Sequence, residues 1–280
     1  MMTKYDGLSV LMSVYKKENP RFVAECFDSL LAQTVPADEW VVVEDGPLTD
    51  GLYEVLGRYE AEHPGLMHRV PLAENQGLGL ALRRGVTECS HEFIARMDTD
   101  DVCDPTRFER QRACFEANPE LDICGSHISE FETSPDEVVD VRRVPLDDAS
   151  IRRYQRMRDG FNHVTVMFRR SAVLRAGNYQ HALLMEDSLL WANMFLTGAR
   201  GMNVDDYLVN VRVGSDMYER RGGFNYFKKY REGRRQILET GFITRGDYLA
   251  SLAVQLVVAL VPNGVRRFIF TRSLRSRDDV

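Results

Sequence analysis

The sequence predicts an α/β protein organised around a doubly wound parallel sheet, and three observations carry that expectation. Short runs rich in β-branched residues alternate with segments whose apolar residues recur at helical spacing. The runs stay apolar on both faces, as strands covered by helices on each side do. Carboxylates stand where two of these runs end, and open sheets of this kind bind ligands at the carboxyl ends of their strands.

The runs at residues 8–14 and 39–43 are the first two strands. Between them, Asn19 and Pro20 supply a helix cap and first helical position, and Phe22, Val23, Cys26, Leu30 and Leu31 follow at helical spacing. The alternation continues with a helix at 49–62, a strand at 67–71, a helix at 77–87 and a strand at 93–97. Past Pro105 come a helix at 106–117, strand pieces at 121–126, 128–132 and 138–142, a helix at 148–156 and a strand at 163–168. The turn-like Gly177-Asn178-Tyr179 precedes a helix at 185–197, and from Gly222 onward the pattern is helical, at 224–238, 245–260 and 264–274. The layout is an α/β body over residues 1–215 and a basic helical C-terminal region over 216–280.

With 280 residues, 44% hydrophobic and 28% charged, the composition is that of a soluble globular protein and excludes collagen-like, disordered and disulfide-stapled classes. The net charge of −6 conceals an asymmetry: residues 1–216 carry −13 and residues 217–280 carry +7. An acidic body of this kind is no nucleic-acid binder, whereas the basic tail suits phosphate, in nucleic acid, lipid headgroups or its own ligand, of which the membrane or a phosphate-bearing acceptor is favoured over nucleic acid. The five cysteines form no Cys-x-x-Cys pair and read as reduced core residues of a cytosolic protein. The N-terminus meets acidic and glycine residues before any long apolar run, unlike a signal peptide. The longest apolar stretch, 248–261, falls short of the about 20 residues that cross a bilayer.

The clearest chemical signal is Met97-Asp98-Thr99-Asp100-Asp101, at the end of an apolar strand. Three carboxylates in four residues repel one another unless a cation is shared between them, and hard oxygen ligands suit Mg²⁺ or Mn²⁺. The plain alternative is a solvated acidic turn capping the following helix. A second acid site is Glu44-Asp45-Gly46-Pro47, where Asp45 can accept a hydrogen bond from a nucleobase or ribose, although Asp-Gly is first of all a turn signal. The third, Glu186-Asp187, opens a helix; the helix dipole favours acids there, and a general base for an inverting displacement is the sharper reading.

These residues, in this order, resemble the family 2 glycosyltransferases. The matching segments are Ser9-Val10-Leu11-Met12-Ser13-Val14-Tyr15, Val43-Glu44-Asp45-Gly46, Asn75-Gln76-Gly77 with the helix behind it, and Ala95-Arg96-Met97-Asp98-Thr99-Asp100-Asp101 with Pro105 and Arg107. Gly177-Asn178-Tyr179 and Glu186-Asp187 complete the set, so the likeness covers roughly residues 8–215. The chain looks most similar to the bacterial branch that assembles exopolysaccharide, capsule or O-antigen units.

The resemblance implies a GT-A (Rossmann-like) fold, with a central mostly parallel sheet flanked by helices and a C-terminal helical appendage. It implies that Ser13, Tyr15 and Asp45 contact the nucleoside of a nucleotide-sugar donor, such as a UDP-sugar. It implies that Asp98 and Asp100 bind the ribose or donor sugar, that Asp101 with Asp100 holds a divalent cation on the diphosphate, and that Asp187, with Glu186 beside it, is the base. Asn75 belongs with the donor side; Arg83 and Arg84 on the helix that follows are candidates to reach the diphosphate, with an exposed helical face as the alternative for at least one of them. Gly177-Asn178-Tyr179 stands where the family often has Gly-Gly-Tyr, a change that bears on the acceptor loop. The Gln-x-x-Arg-Trp motif of the processive members is missing, which implies one sugar per acceptor.

Smaller features complete the reading. His163 is a candidate for the acceptor pocket, with a satisfied structural histidine as the alternative. Arg220 and Arg221, before two glycines, are candidates for closing over a phosphate, or form a solvated loop. Arg266, Arg267, Arg272, Arg275 and Arg277 interleave with Phe268, Ile269 and Phe270, which suits peripheral contact with an anionic inner membrane surface and a lipid-linked glycan acceptor. Competing readings are a sugar-nucleotide nucleotidyltransferase and a non-catalytic carbohydrate-binding or scaffold protein. The first is expected to carry a Gly-rich loop after the first strand, and Val14-Tyr15-Lys16-Lys17-Glu18-Asn19 has no glycine; the second sits poorly with three intact acid sites.

Overall fold

The computed structural model describes residues 7–182, 184–214 and 223–260. Its nine strands are β1 (Leu8–Val14), β2 (Glu39–Glu44), β3 (Met67–Pro71), β4 (Phe93–Arg96), β5 (Val102–Cys103), β6 (Ile123–Phe131), β7 (Val138–Arg142), β8 (Met167–Arg169) and β9 (Gly201–Arg212). The helices, in chain order, are α1 (Pro20–Leu31), α2 (Asp50–Glu62), α3 (Leu78–Glu88), α4 (Arg107–Ala117), α5 (Asp148–Gln155), α6 (Arg170–Arg175), α7 (Glu186–Leu196), α8 (Gly223–Glu239) and α9 (Arg245–Leu260).

Strands β3, β2, β1 and β4 lie side by side and all parallel, as the alternating pattern predicts. Their side chains divide by parity. Val10, Met12, Trp40 and Val42 pack with Phe27 of α1, Leu52 of α2 and Phe108 of α4, while Leu11, Val41 and Val43 pack with Leu82 of α3 and Trp191 of α7. Successive strand residues point to opposite faces and both faces are covered, so neither parity is polar. Each large apolar side chain fully buried this way contributes about 1.5–3 kcal/mol relative to exposure.

Beyond β4 the sheet becomes mixed, as the expected mostly parallel sheet allows. β8 runs antiparallel to both β4 and β6, β9 is parallel to β6, and β5 and β7 are antiparallel to β9 and β6 respectively. The strand expected at 163–168 is a 3-10 turn, His163–Thr165, followed by the short β8. Thr165 causes this, because its backbone N–H and hydroxyl both donate to the Asn162 carbonyl, at 2.9 and 2.8 Å. The two pieces expected at 121–126 and 128–132 are one continuous strand, and β9 was not anticipated at all. Asp205 and Asp206 interrupt its apolar alternation.

Where the sheet changes character, a buried polar pair on α4 stitches it together. Arg107, fully buried, donates from Nη2 to the Arg96 carbonyl at 2.8 Å and from Nε to Gln111 at 3.1 Å. Gln111 Nε2 in turn donates to the carbonyls of Cys124 and Thr165, both at 2.8 Å. One helical turn thus satisfies carbonyls from three segments at the seam beneath the end of β4.

All five cysteines are free thiols, buried except for half-buried Cys114. The C-terminal helices dock on α7: Ile237 and Ile243 pack with Met185, Leu189 and Ala192. Arg234, 3% exposed, donates to the Arg156 carbonyl at 2.6 Å, and Arg156 pairs with Asp247 at 2.6 Å. Among the described residues no helix is long and apolar enough to cross a membrane. The helix expected at 264–274 lies outside the described residues.

Candidate active site

The carboxyl ends of β2, β1 and β4 are neighbours, with β1 in the middle, so residues just past these strands share one edge of the sheet. At the end of β2, Asp45 is 4% exposed and its carboxylate is well occupied. It accepts from Asn75 Nδ2 at 2.8 Å and from the backbone N–H groups of Gln76 and Gly77 at 2.7 and 3.0 Å. Asp45 and Asn75, both assigned to the donor side, are thus in contact, and the acid organises the loop leading into α3. Gly46 makes this possible: its φ is +84°, and a Cβ there would stand 2.6 Å from the Asn75 backbone nitrogen. Glu44, next to Asp45, is paired with Arg69 at 2.6 Å.

At the end of β4, the Arg96 fork grips both oxygens of Asp98, with Nη1 donating to Oδ2 at 2.6 Å and Nη2 to Oδ1. Asp101 is 2% exposed, and its Oδ1 accepts the Arg212 backbone N–H at 2.8 Å. The Arg212 guanidinium continues the tether: Nε donates to the Asp100 carbonyl at 3.0 Å and Nη2 lies at 2.5 Å from Glu25. It also stacks on Phe22, 3.9 Å from the ring centre. Thr99, between the acids, donates its hydroxyl to Glu18 in the loop after β1, at 2.9 Å. Ser13, half-buried, is the last residue but one of β1, beside this turn, and Tyr15 lies on the surface just past the strand.

Crowding of like charge shows in the titration of these groups. Loss of surrounding water and the charge of Asp98 push Asp100 up to about 6. Burial, then Asp100 and Asp98, hold Asp101 well above the usual carboxylate range. Glu18 rises to about 8, through burial and then the charge of Asp100.

The third site opens α7. Burial and the neighbouring Asp159 and Glu186 raise Asp187 well above its ordinary value, and burial also raises Glu186. Asp159 accepts from the Ser188 hydroxyl, which holds the loop after α5 against the first turn of α7. The first turn of α3 approaches just as closely, since a Cβ on Gly79 would lie 2.9 Å from Glu186 Cβ and 3.0 Å from the Gln180 carbonyl. Arg83 Nη1 donates to the Tyr179 carbonyl at 3.1 Å, tying α3 to the turn before α7. In that turn Asn178 adopts φ +62°, a conformation asparagine tolerates; its Nδ2 donates to the Arg83 carbonyl at 3.0 Å and its Oδ1 accepts the Tyr179 N–H at 2.7 Å. His163 is hydrogen-bonded through Nε2 to the Tyr179 hydroxyl at 2.8 Å and packs edge-on against Trp191. Burial and the Arg96 charge keep it neutral, well below its usual range.

The β4 end suits a divalent cation held jointly with a substrate. Its donors are hard carboxylate oxygens whose mutual repulsion a cation would relieve. Among the described residues no three His, Cys, Asp or Glu side chains converge into a closed cage. Such a set leaves most coordination positions to other oxygens, as Mg²⁺ sites built from one or two carboxylates and substrate phosphates do.

The sequence-derived residues therefore fall into three places: Asp45 with Asn75, Asp98 with Asp100 and Asp101, and Glu186 with Asp187 beside the Arg83, Tyr179 and His163 contacts. Arg220 and Arg221 lie outside the described residues. Sequence reasoning missed Glu18, Asp159 and Arg212. Glu18 had a signal, being an acid in the loop after a strand; Arg212 had none, since β9 itself was unread.

A model of the family described as "Glycosyl transferase family 2" matches residues 9–183. The chain is 40% identical over 267 residues to the amylovoran biosynthesis glycosyltransferase AmsE of Erwinia amylovora, covering 94% of this chain and 98% of that one. It is 30% identical over 267 residues to an Escherichia coli protein named UDP-Gal:alpha-D-GlcNAc-diphosphoundecaprenol beta-1,3-galactosyltransferase, covering 95% and 96%. Among solved structures, the mannosyltransferase PcManGT of Pyrobaculum calidifontis, in complex with GDP-Man and Mn²⁺, superposes with TM-score 0.65 at 16% identity, over 98% of this chain and 77% of that one. The shared fold is the GT-A arrangement of a mostly parallel sheet flanked by helices.

Proposed function

The chain belongs to glycosyl transferase family 2, and from that premise we propose that it transfers a sugar from a nucleotide-sugar donor, a UDP-sugar, to a hydroxyl of a lipid-linked glycan acceptor. The reaction inverts the anomeric carbon, adds one sugar per acceptor and serves the assembly of a cell-surface polysaccharide. The observation that supports it most is the carboxylate turn Asp98–Asp101 at the carboxyl end of β4, with Asp101 buried and Asp98 held by the Arg96 fork, on the same edge of the sheet as Asp45. The relatives' names support the donor and acceptor classes: one is named for UDP-Gal and for an acceptor carried on diphosphoundecaprenol.

In this reading residues 1–215 are the catalytic body. Ser13, Tyr15, Asp45, Asn75 and Arg83 serve the nucleotide side, and Asp98 and Asp100 the ribose or donor sugar. Asp100 and Asp101 would hold Mg²⁺ or Mn²⁺, whose chemistry is to neutralise charge growing on the departing diphosphate. Asp187 takes the proton of the acceptor hydroxyl as its oxygen bonds to the anomeric carbon from the face opposite the breaking bond to the diphosphate, and Glu186 flanks it. A base needs a raised affinity for a proton near its working pH, and burial supplies that at Asp187. His163 and the Gly177-Asn178-Tyr179 turn shape the acceptor side, and Arg220 and Arg221 serve the acceptor's phosphate. The protein works at the cytoplasmic face of the membrane: α9 leaves Leu249, Val254 and Val257 64%, 56% and 57% exposed, and the arginine-rich residues 266–277 follow in sequence.

Asp187→Asn tests the reading. Transfer from a panel of nucleotide sugars should fall about 10²–10⁴-fold, the usual contribution of a general base, while thermal stabilisation by UDP with Mn²⁺ persists. Transfer at the unaltered rate would place the base elsewhere.

A further inference from the structure

The Gly177-Asn178-Tyr179 turn closes the C-terminus of α6, and the closure explains only its first residue. The Gly177 N–H donates to the Leu174 carbonyl at 3.0 Å and the Asn178 N–H to the Val173 carbonyl at 2.9 Å, a helix cap that needs one left-handed residue, Gly177 at φ +90°. Asn178 is left-handed as well, at φ +62°, and it is 6% exposed. The cap does not ask for this. What the conformation gains lies on α3, where Asn178 Nδ2 donates to the Arg83 carbonyl at 3.0 Å, while its Oδ1 takes the Tyr179 N–H at 2.7 Å.

Arg83 answers from its other end, with Nη1 donating to the Tyr179 carbonyl at 3.1 Å. The backbone of Arg83 thus holds a side chain of the turn, and the side chain of Arg83 holds the backbone of the turn. Beyond it Tyr179 is fully buried, with its hydroxyl bonded to His163 Nε2 at 2.8 Å, so the latched turn continues into the residues given to the acceptor side. Arg83 itself is exposed, and among the described residues its guanidinium makes no other hydrogen bond, which leaves most of its N–H donors for an anion.

We infer that Arg83 and Asn178 form a two-way latch that couples the two substrates: a diphosphate on the remaining donors of Arg83 steadies the turn on which the acceptor side is built, and Asn178 is the positioning residue that transmits it. The inference rests on the assignment of Arg83 to the donor diphosphate proposed above. Coupling of this kind is reciprocal, so an acceptor that settles the turn also strengthens the hold on the nucleotide. Asparagine suits the place because it tolerates positive φ and carries a donor and an acceptor on one short side chain. Glycine would take the same backbone and reach nothing on α3. Aspartate would keep the bond to the Tyr179 N–H but set an oxygen against the Arg83 carbonyl.

Hydrogen exchange of the full chain, read by mass spectrometry over residues 176–182 with and without saturating UDP and Mn²⁺, tests the latch, and calorimetric titration shows separately whether the nucleotide binds. In the parent, UDP with Mn²⁺ should slow exchange in this segment by about tenfold, inside the usual range of coupling between two sites. In Asn178→Asp the same saturation should slow it by less than about twofold, because the turn remains and its tie to α3 is gone. A purely structural asparagine would let exchange rise equally in both states and leave their ratio at the parental value, which overturns the latch. Bound UDP·Mn²⁺ that leaves exchange in the parent's turn unchanged overturns it too, with the donor reading intact. If calorimetry finds no binding of UDP with Mn²⁺ to the parent, the donor reading falls and takes the latch with it. Should Asn178→Asp not fold, Asn178→Gly decides on the same ratio, since glycine takes positive φ without strain.

Discussion

The acid clusters at the end of β4 and at the start of α7 both hold carboxyls above their ordinary range, in each case through burial first and neighbouring carboxylates second, but they differ in what can relieve it. At β4 the acids share one turn, so the part of the penalty that follows burial, their mutual repulsion, can be removed by an added cation. At α7 the penalty begins with burial under α3, Tyr179 and the loop bearing Asp159, and the fixed Arg96 guanidinium only offsets it. The first cluster is therefore built to respond to a ligand. The second holds its proton affinity as a property of the fold, as a base requires.

The largest expected effect separates the two clusters outright. Asp101→Asn should weaken Mn²⁺-dependent binding of UDP by about 100-fold or more, judged by a direct ligand cost of several kcal/mol at a metal site, while Asp187→Asn changes it less than threefold. Calorimetric titration of UDP with and without Mn²⁺ checks this, and equal losses in both variants would erase the distinction.

A smaller effect should reach α7 alone. Gly79→Ala pushes a methyl group to 2.9 Å from Glu186 Cβ and 3.0 Å from a backbone carbonyl, so the start of α7 must shift. Overpacking of this kind costs about 1–3 kcal/mol, in part offset by alanine's better helix propensity of about 1 kcal/mol. Turnover should drop about tenfold with UDP·Mn²⁺ affinity unchanged; a matching loss of affinity would mean that the clusters are mechanically one.

The smallest effect is on stability. Glu18 and Asp100 titrate at about 8 and about 6 in the folded chain, above ordinary values of 4.5 and 3.8, so the folded state holds the extra protons. Stability of the metal-free chain should therefore fall as pH rises from about 4 to 8. Melting temperatures across that range should show the decline, and Mn²⁺ with UDP should flatten it. A decline that Mn²⁺ and UDP leave unchanged would mean that the repulsion is not relieved at this site.

Legibility from sequence followed the same division. The parallel half was readable because each strand there buries both faces, so Val10, Val41 and their neighbours form unbroken apolar runs, and because Asn19 and Pro20 mark the start of α1. The mixed half was not. Asp205 and Asp206 break the pattern of β9, and Thr165 turns an apparent strand into a 3-10 turn through a local bond to Asn162. His163, read as an open choice, has its ring nitrogen on the Tyr179 hydroxyl and its ring edge-on to Trp191, contacts between residues that share no local pattern.

The chain by itself determined which residues can bear charge at the strand ends, since an acid after a buried strand is a local fact: Asp45, Asp98, Asp100 and Asp101 are legible one at a time. Only the tertiary structure decided what holds and tunes them. Arg212 reaches Asp101 across 111 positions, and Glu18 reaches Thr99 across 81. Such partners meet because the sheet is ordered β3-β2-β1-β4 and then turns mixed, an order fixed by pairing and packing over the whole domain. The side-chain alternation of a single strand carries no information about which strand lies next to it.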